Sequence, residues 1–166
     1  MANKKSFSTE EWTKILESTM LAGMAVTAAE PSGLWGMVKE GFASSSALAK
    51  AKSDADSSEL VKAVIADFET SEGRSSIQEA LRKRLAGAKP ADAVQRSLAN
   101  LREVSAILDA KAPGDAATFK AWLSGISQNV AEASSEGGFF GIGGVKVSEA
   151  EKATLADIAK ALGTSA

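Results

Sequence analysis

The segment with the clearest chemical potential is a glycine-rich loop spanning residues 137–144, which carries Phe139, Phe140 and Ile142. Backbone amides of such a loop can cradle a phosphate group at the start of a helix. No strand pattern precedes this loop and no Gly-Lys-Ser or Gly-Lys-Thr follows it, which argues against nucleotide binding. Two alternatives remain. The three apolar side chains are buried over the end of a helical bundle, or they form an exposed tip that touches a partner or a membrane surface.

A second candidate is the basic stretch from Arg74 to Arg102, in which only Glu79 and Asp92 oppose the cations. The candidate anion patch within it consists of Arg82, Lys83, Arg84, Lys89 and Arg96. A local surplus of positive charge attracts an anionic partner. No base-stacking aromatic residue is interleaved, so the stretch gives no strong nucleic-acid signal. A solvated helical face is the alternative interpretation.

The residue types that are missing exclude much chemistry. The chain has no histidine and no cysteine, and tyrosine is also absent. The commonest general base and the usual zinc and copper ligands are therefore lacking, and only hard cations such as calcium or magnesium suit the remaining carboxylates. Nucleophilic catalysis has no support, because no base of the usual kind is present to activate a serine. We expect no enzyme activity and no cofactor, with calcium or magnesium as the alternative.

The composition predicts a helical protein. The 166 residues are 45% hydrophobic and only 5% aromatic, with a net charge of -2 and abundant alanine. Alanine favours helices, whereas strands prefer aromatic and β-branched runs. We expect an all-α fold, a single compact bundle of about seven helices that forms one domain over residues 1–166. The apolar stretch from Met20 to Ala29 is about half a membrane span, so we expect no span and a cytoplasmic location.

Local start and stop signals divide the chain into these helices. Ser8 with Glu11, and Ser148 with Glu151, form capping boxes, and Gly163 suits the end of the last helix. The first three predicted helices run from Thr9 to about Ala29, from Pro31 to about Lys52, and from near Asp56 or Ser57 through Phe68. The fourth contains Ile77 and ends at Gly87, and the fifth runs from Pro90 to Pro113. The sixth contains Phe119 to Val130, and the seventh runs from Ser148 to Gly163. The segment from Ser71 to Ser75 is predicted to be a loop. No segment alternates with period two, so we predict no sheet.

The segment from Val130 to Gly163 resembles the C-terminal part of the tellurite-resistance TerB-like family. The matching residues are Ala133, Glu136, Gly137, Ser148, Glu151, Lys152, Leu155, Ile158, Ala159, Leu162 and Gly163. A fainter match covers residues 24–30, which are similar to the first helix of that family. The resemblance implies a small all-helical domain linked to stress responses, with acidic residues that can hold divalent cations.

The resemblance also implies which residues would hold such a cation. The acidic positions carried over from the family are Glu30, Glu136 and Glu151. The family loop usually continues with further acids, whereas here glycines and aromatics follow Glu136. Calcium requires six to eight oxygen ligands, and Glu151 has an alternative role as a capping residue. Our leading expectation is a non-enzymatic module that binds a protein partner or stabilises an assembly, and the alternative is a divalent-cation-binding stress-response domain.

Overall fold

Every regular element of the described residues is helical. The computed structural model describes residues 1–29, 58–136 and 147–164, apart from the side chains of residues 133–136. A 3-10 turn at Lys4–Ser6 precedes six α-helices: α1 (Thr9–Ala29), α2 (Glu59–Glu69), α3 (Ser71–Arg84), α4 (Pro90–Lys111), α5 (Pro113–Glu136) and α6 (Glu149–Leu162). The all-α fold class is confirmed, and the helix number is close to the expected seven. The predicted second helix, from Pro31 to about Lys52, lies outside the described residues.

Helix α1 is the centre of the bundle and packs against α3, α4, α5 and α6. Two contacts show that it runs antiparallel to α4. Lys111 Nζ, at the end of α4, lies 2.6 Å from Glu11 Oε2, near the start of α1. Asn100 Nδ2, earlier in α4, donates to the carbonyl oxygen of Lys14, later in α1, at 3.3 Å. It runs parallel to α5. Near the start of both helices the backbone N–H of Ala2 donates to Asp115 Oδ2, and further along Ser127 Oγ donates to the carbonyl oxygen of Ala22.

One apolar core joins all the described helices. Its fully buried large side chains include Ile15, Leu16, Leu60, Leu101, Phe119, Leu123, Ile158 and Leu162. Burial of one such aliphatic side chain contributes about 1.5–3 kcal/mol. The small residues Ala22 and Ala25 on α1 are also completely buried, which permits close approach of the neighbouring helices. Trp12 is buried in this core, whereas Trp122 is half-buried and meets Phe119 edge-on at 5.2 Å.

The corner between α2 and α3 corrects the sequence-based prediction of a loop from Ser71 to Ser75. Helix α3 already begins at Ser71, because Thr70 is its N-cap and accepts a hydrogen bond from the Gly73 N–H at 2.9 Å. A Cβ on Gly73 would lie 2.1 Å from the carbonyl oxygen of Asp67. The glycine that appeared to indicate a loop instead permits two helices to meet with a single residue between them.

The ends of α3, α4 and α5 agree only in part with the local signals. Pro90 occupies the first turn of α4, as predicted. Helix α3 ends at Arg84 and is followed by a turn in which Gly87 has a φ of 65°. Pro113 was predicted to close α4, but it is the first residue of α5, and Ala112 alone separates the two helices. Proline fits this position because the first helical N–H needs no intrahelical partner.

Both predicted capping boxes are present. Ser8 N–H donates to Glu11 Oε2 at 2.7 Å, and Glu11 N–H donates to Ser8 Oγ at 3.2 Å. The Ser148 pair has the same reciprocal bonds to Glu151, at 2.8 and 3.2 Å. Gly163 ends α6 in the left-handed conformation, with a φ of 68°. These caps satisfy backbone groups that a helix end would otherwise leave without partners.

Candidate interaction groove

A groove of about 650 Å³ lies on the surface between α1 and α3. Helix α1 contributes one wall and α3 the other. The lining residues are Thr9, Glu10, Thr13, Lys14, Glu17, Ala80, Lys83 and Arg84. The groove is open to solvent.

A charge pair at one end of the groove ties its two walls together. The guanidinium of Arg84 donates to both carboxylate oxygens of Glu17, with Nε 3.2 Å from Oε1 and Nη2 3.0 Å from Oε2. Only 4% of the Glu17 side chain is exposed. Asn100 on α4 adds a donor, since its Nδ2 lies 3.5 Å from Glu17 Oε2. The Glu17 carboxylate therefore links three helices, and a bidentate pair of this kind fixes orientation as well as distance.

The α1 side of the groove carries a surplus of negative charge. Lys14 Nζ lies 3.0 Å from Glu10 Oε1 and 3.1 Å from Glu103 Oε2, so two carboxylates share one ammonium group. The hydrogen bonds that Lys14 donates to Glu10 and then to Glu103 raise the pKa of Lys14. Glu10 and Lys14 line the groove, whereas Glu103 belongs to α4.

The α3 side carries a surplus of positive charge, because both Lys83 and Arg84 line it. Lys83 Nζ lies 2.7 Å from Glu79 Oε1. The pKa of Glu79 is lowered, chiefly by the hydrogen bond from Lys83 and to a smaller extent by the charge of Arg82. Arg82 is exposed on the same helix but does not line the groove.

The predicted anion patch is divided by the fold. Arg84 turns towards Glu17, and Arg96 Nη1 donates to the carbonyl oxygens of Arg84 and Ala86 at 2.8 and 3.0 Å. Arg96 therefore caps the C-terminal end of α3, where helix carbonyls attract positive charge. Of the five patch residues, Arg82, Lys83 and Lys89 are exposed. The structure does not bring the five together as a single cationic surface.

Arg74 has a role like that of Arg96. Its Nη1 donates to the carbonyl oxygens of Phe68 and Glu69, at 3.2 and 2.8 Å, at the end of α2. Two of the seven basic residues between Arg74 and Arg102 therefore bond to the carbonyl groups of helix ends. The sequence signal for this role was weak, since each arginine lies several residues along the chain from the carbonyl groups that it reaches.

The three acidic positions implied by the family resemblance are only partly described. Glu30 lies outside the described residues, and Glu136 is the last residue of α5, with its side chain undescribed. Glu151 is 2% exposed and bonds to the Ser148 N–H as its capping partner. Within residues 1–29, 58–132 and 147–164, no group of three or more acidic side chains is placed to hold a metal ion. The loop residues Phe139, Phe140 and Ile142 also lie outside the described residues.

Two polar contacts were not anticipated from the sequence. Asp67 Oδ2 accepts hydrogen bonds from Trp12 Nε1 at 2.7 Å and from Lys4 Nζ at 3.0 Å, which fastens the N-terminal turn to α2. The second is the contact between Glu17 and Arg84. A glutamate among the apolar residues of α1 was its only available signal, and the distant arginine that pairs with it could not be identified from spacing.

The comparisons with known proteins found no relative. No family model matches the chain, and neither a curated protein nor a solved structure matches it. Among the helices of the described residues, none is both long enough and apolar enough to cross a membrane.

Proposed function

We propose that this protein is a non-enzymatic helical module that binds a protein partner or stabilises an assembly, with the groove between α1 and α3 as its docking surface. The observation that carries the proposal is the groove itself, whose walls bear opposite surplus charges. A groove between two helices that has charged side chains on both walls suits recognition of another protein surface, because complementary charge gives specificity and accelerates association.

The use of the buried charged residues supports a non-enzymatic role. Glu17 pairs with Arg84, Asp115 accepts the Ala2 N–H, Lys120 pairs with Asp109, and Glu151 caps α6. These are the four buried charged side chains of the described residues, and each stabilises a contact between elements or a helix end. Asp115, Lys120 and Glu151 do not line the groove, and Glu17, which does, is held by Arg84 and Asn100.

Assignment to the TerB-like family belongs to the same proposal and rests on the sequence match over residues 130–163. The stress-response role follows from that resemblance. A cytoplasmic setting is consistent with a chain that has no cysteine to form disulfides. The loop residues Phe139, Phe140 and Ile142 form a second proposed contact region.

Site-specific photo-crosslinking in living cells tests the docking surface. A photoreactive amino acid at position 13, in the groove, should yield a covalent adduct with a protein partner, as should one at position 80 on the opposite wall. The matched control is position 156, an exposed alanine on α6. The proposal would be wrong if the groove positions gave no adduct, or gave only those also seen from position 156.

One observation favours the alternative that this protein binds a divalent cation. Helices α1 and α5 run parallel, so Ala29 and Glu136, their last residues, lie at the same end of the bundle. If cations bind there, calcium or magnesium should raise Tm by mass action, and Glu136→Gln should remove the increase. Glu149→Gln, on an exposed residue of α6, is the control. Under our leading proposal neither cation changes Tm.

A further inference from the structure

Helix α3 has the smallest share in the apolar core among the described helices. Of its 14 residues only Gly73 and Ile77 are buried, whereas four of the 11 residues of α2 are buried. Its other side chains are exposed or half-buried, and it packs mainly against α1 and α2. Because a helix in a folded protein is stabilised chiefly by burial of its apolar face, α3 is the helix that the core holds least firmly.

A small apolar cluster, separate from the main core, lies beneath the C-terminal end of α3. Leu85, which directly follows α3, is buried there together with Leu21 and Met24 of α1. Ala93 of α4 completes the buried part, and the half-buried Leu81 of α3 packs against it. The end of α3 and the turn after it therefore cover apolar surface that belongs to α1 and α4.

The hydrogen bonds at the same end leave one buried polar atom without a partner. Glu17 Oε2 accepts from Arg84 Nη2 at 3.0 Å and from Asn100 Nδ2 at 3.5 Å, which places the Asn100 amide beside the end of α3. Asn100 is completely buried, and its Oδ1 has no hydrogen-bond partner among the described residues. Burial deprives this oxygen and the Glu17 carboxylate of hydration. Departure of α3 would restore that hydration and so offset part of the cost of breaking the Glu17–Arg84 pair.

We propose that α3 unfolds locally while the rest of the bundle stays folded, with the Glu17–Arg84 pair as the latch that holds it closed. The two ends of α3 cannot move far, because Thr70 alone joins it to α2 and residues 85–89 join it to α4. Unwinding satisfies this constraint, since a residue spans about 1.5 Å in a helix and about 3.3 Å when extended, and the 14 unwound residues have slack between fixed ends. Elements with few buried apolar contacts are the ones that open below the threshold of global unfolding.

Opening changes the surface that the molecule offers to a partner. Among the described residues, Met1 is the only large hydrophobic residue exposed in the closed state. The open state uncovers Leu21 and Met24 and removes the α3 wall of the groove. The closed state thus presents a charged groove and the open state an apolar surface, and the latch sets the balance between them. The opening of α3 is independent of whether the groove binds a protein.

Thiol labelling measures the opening directly, because the chain contains no cysteine of its own. Ile77→Cys places a thiol on the buried side of α3, and Val64→Cys places one in α2, where the native side chains are 4% and 0% exposed. With an excess of a thiol reagent, Ile77→Cys should react at least tenfold faster than Val64→Cys, because its thiol becomes accessible without global unfolding. Amide hydrogen exchange of the wild type should show the same order, with α3 amides exchanging at least tenfold faster than α4 amides.

A matched pair of variants tests the latch. Arg84→Met should accelerate amide exchange in α3 at least tenfold, whereas Lys83→Met, which removes the adjacent cation with 73% of its side chain exposed, should change it little. Local opening exposes little surface, so exchange in α3 should depend weakly on urea and exchange in α4 strongly. The proposal is overturned if α3 and α4 amides exchange at the same rate with the same urea dependence, if Ile77→Cys is labelled no faster than Val64→Cys, or if the two methionine variants exchange alike.

Discussion

Arg84 and Glu17, which are 67 residues apart in the chain, form a bidentate ion pair between α3 and α1. The carboxylate is almost completely buried, whereas 21% of the arginine side chain is exposed. Helix α3 buries little apolar surface of its own, since only Gly73 and Ile77 are buried within it. The ion pair therefore fixes the position of a mainly polar helix and, with it, the width of the groove.

Removing one member of this pair should be costly. Arg84→Met leaves the Glu17 carboxylate buried without its main partner, and we expect the free energy of unfolding to fall by about 3–5 kcal/mol. The double variant Glu17→Leu/Arg84→Met removes both charges and should lose much less. Urea denaturation of the single and double variants measures the difference. Equal losses in Arg84→Met and the double variant would show that the charge pair contributes little coupling.

The tight corner between α2 and α3 should not accept a side chain at position 73. Gly73→Ala would place Cβ against the Asp67 carbonyl oxygen, a backbone atom, so we expect a loss of about 1–3 kcal/mol in the free energy of unfolding. Gly125→Ala is the matched control, because nothing lies within 4 Å of its Cβ position inside α5. That change should stabilise by about 0.5–1 kcal/mol. Chemical denaturation of both variants would compare them, and a neutral Gly73→Ala would contradict the corner geometry.

The capping box of α6 should contribute measurably to stability. Ser148→Ala removes the acceptor of the Glu151 N–H, and we expect a cost of about 1 kcal/mol. Ser148→Asp keeps an acceptor and should retain most of the stability. Thermal and urea unfolding would rank the three proteins. If the alanine and aspartate variants were equally stable, side-chain capping at this position would have no role.

The change in the free energy of unfolding at acidic pH should depend in part on Glu11. The hydrogen bond from Lys111, followed by that from the Ser8 backbone, lowers the pKa of Glu11 in the folded state. A carboxyl group with a lowered pKa adds stability above its unfolded pKa, and this stability is lost as pH falls through the folded pKa. Glu11→Gln should therefore destabilise at neutral pH, and the difference from the wild type should vanish in acid. Urea unfolding across a pH series would measure it, and a difference that does not change with pH would contradict this account.

The limits of the helices could largely be predicted from the sequence alone. Thr9 and Ala29 were identified as the ends of α1, and Ser148 and Gly163 as the caps of α6, in agreement with the structure. These signals succeed because a cap depends on residues three or four positions apart, whose contacts form within the helix itself. The same local reasoning failed at Gly73, because a glycine that permits close packing has the same appearance in sequence as one that permits a loop.

The groove and the roles of the charged residues were decided by the tertiary structure. Arg84, Arg96 and Lys83 appeared as one basic patch in the sequence, yet the fold directs Arg84 to a buried carboxylate, Arg96 to the end of α3 and Lys83 to the groove. A helical pattern shows which face is apolar but not which distant helix will cover it. The partner of a charged side chain at the margin of that face is therefore determined only when the helices dock.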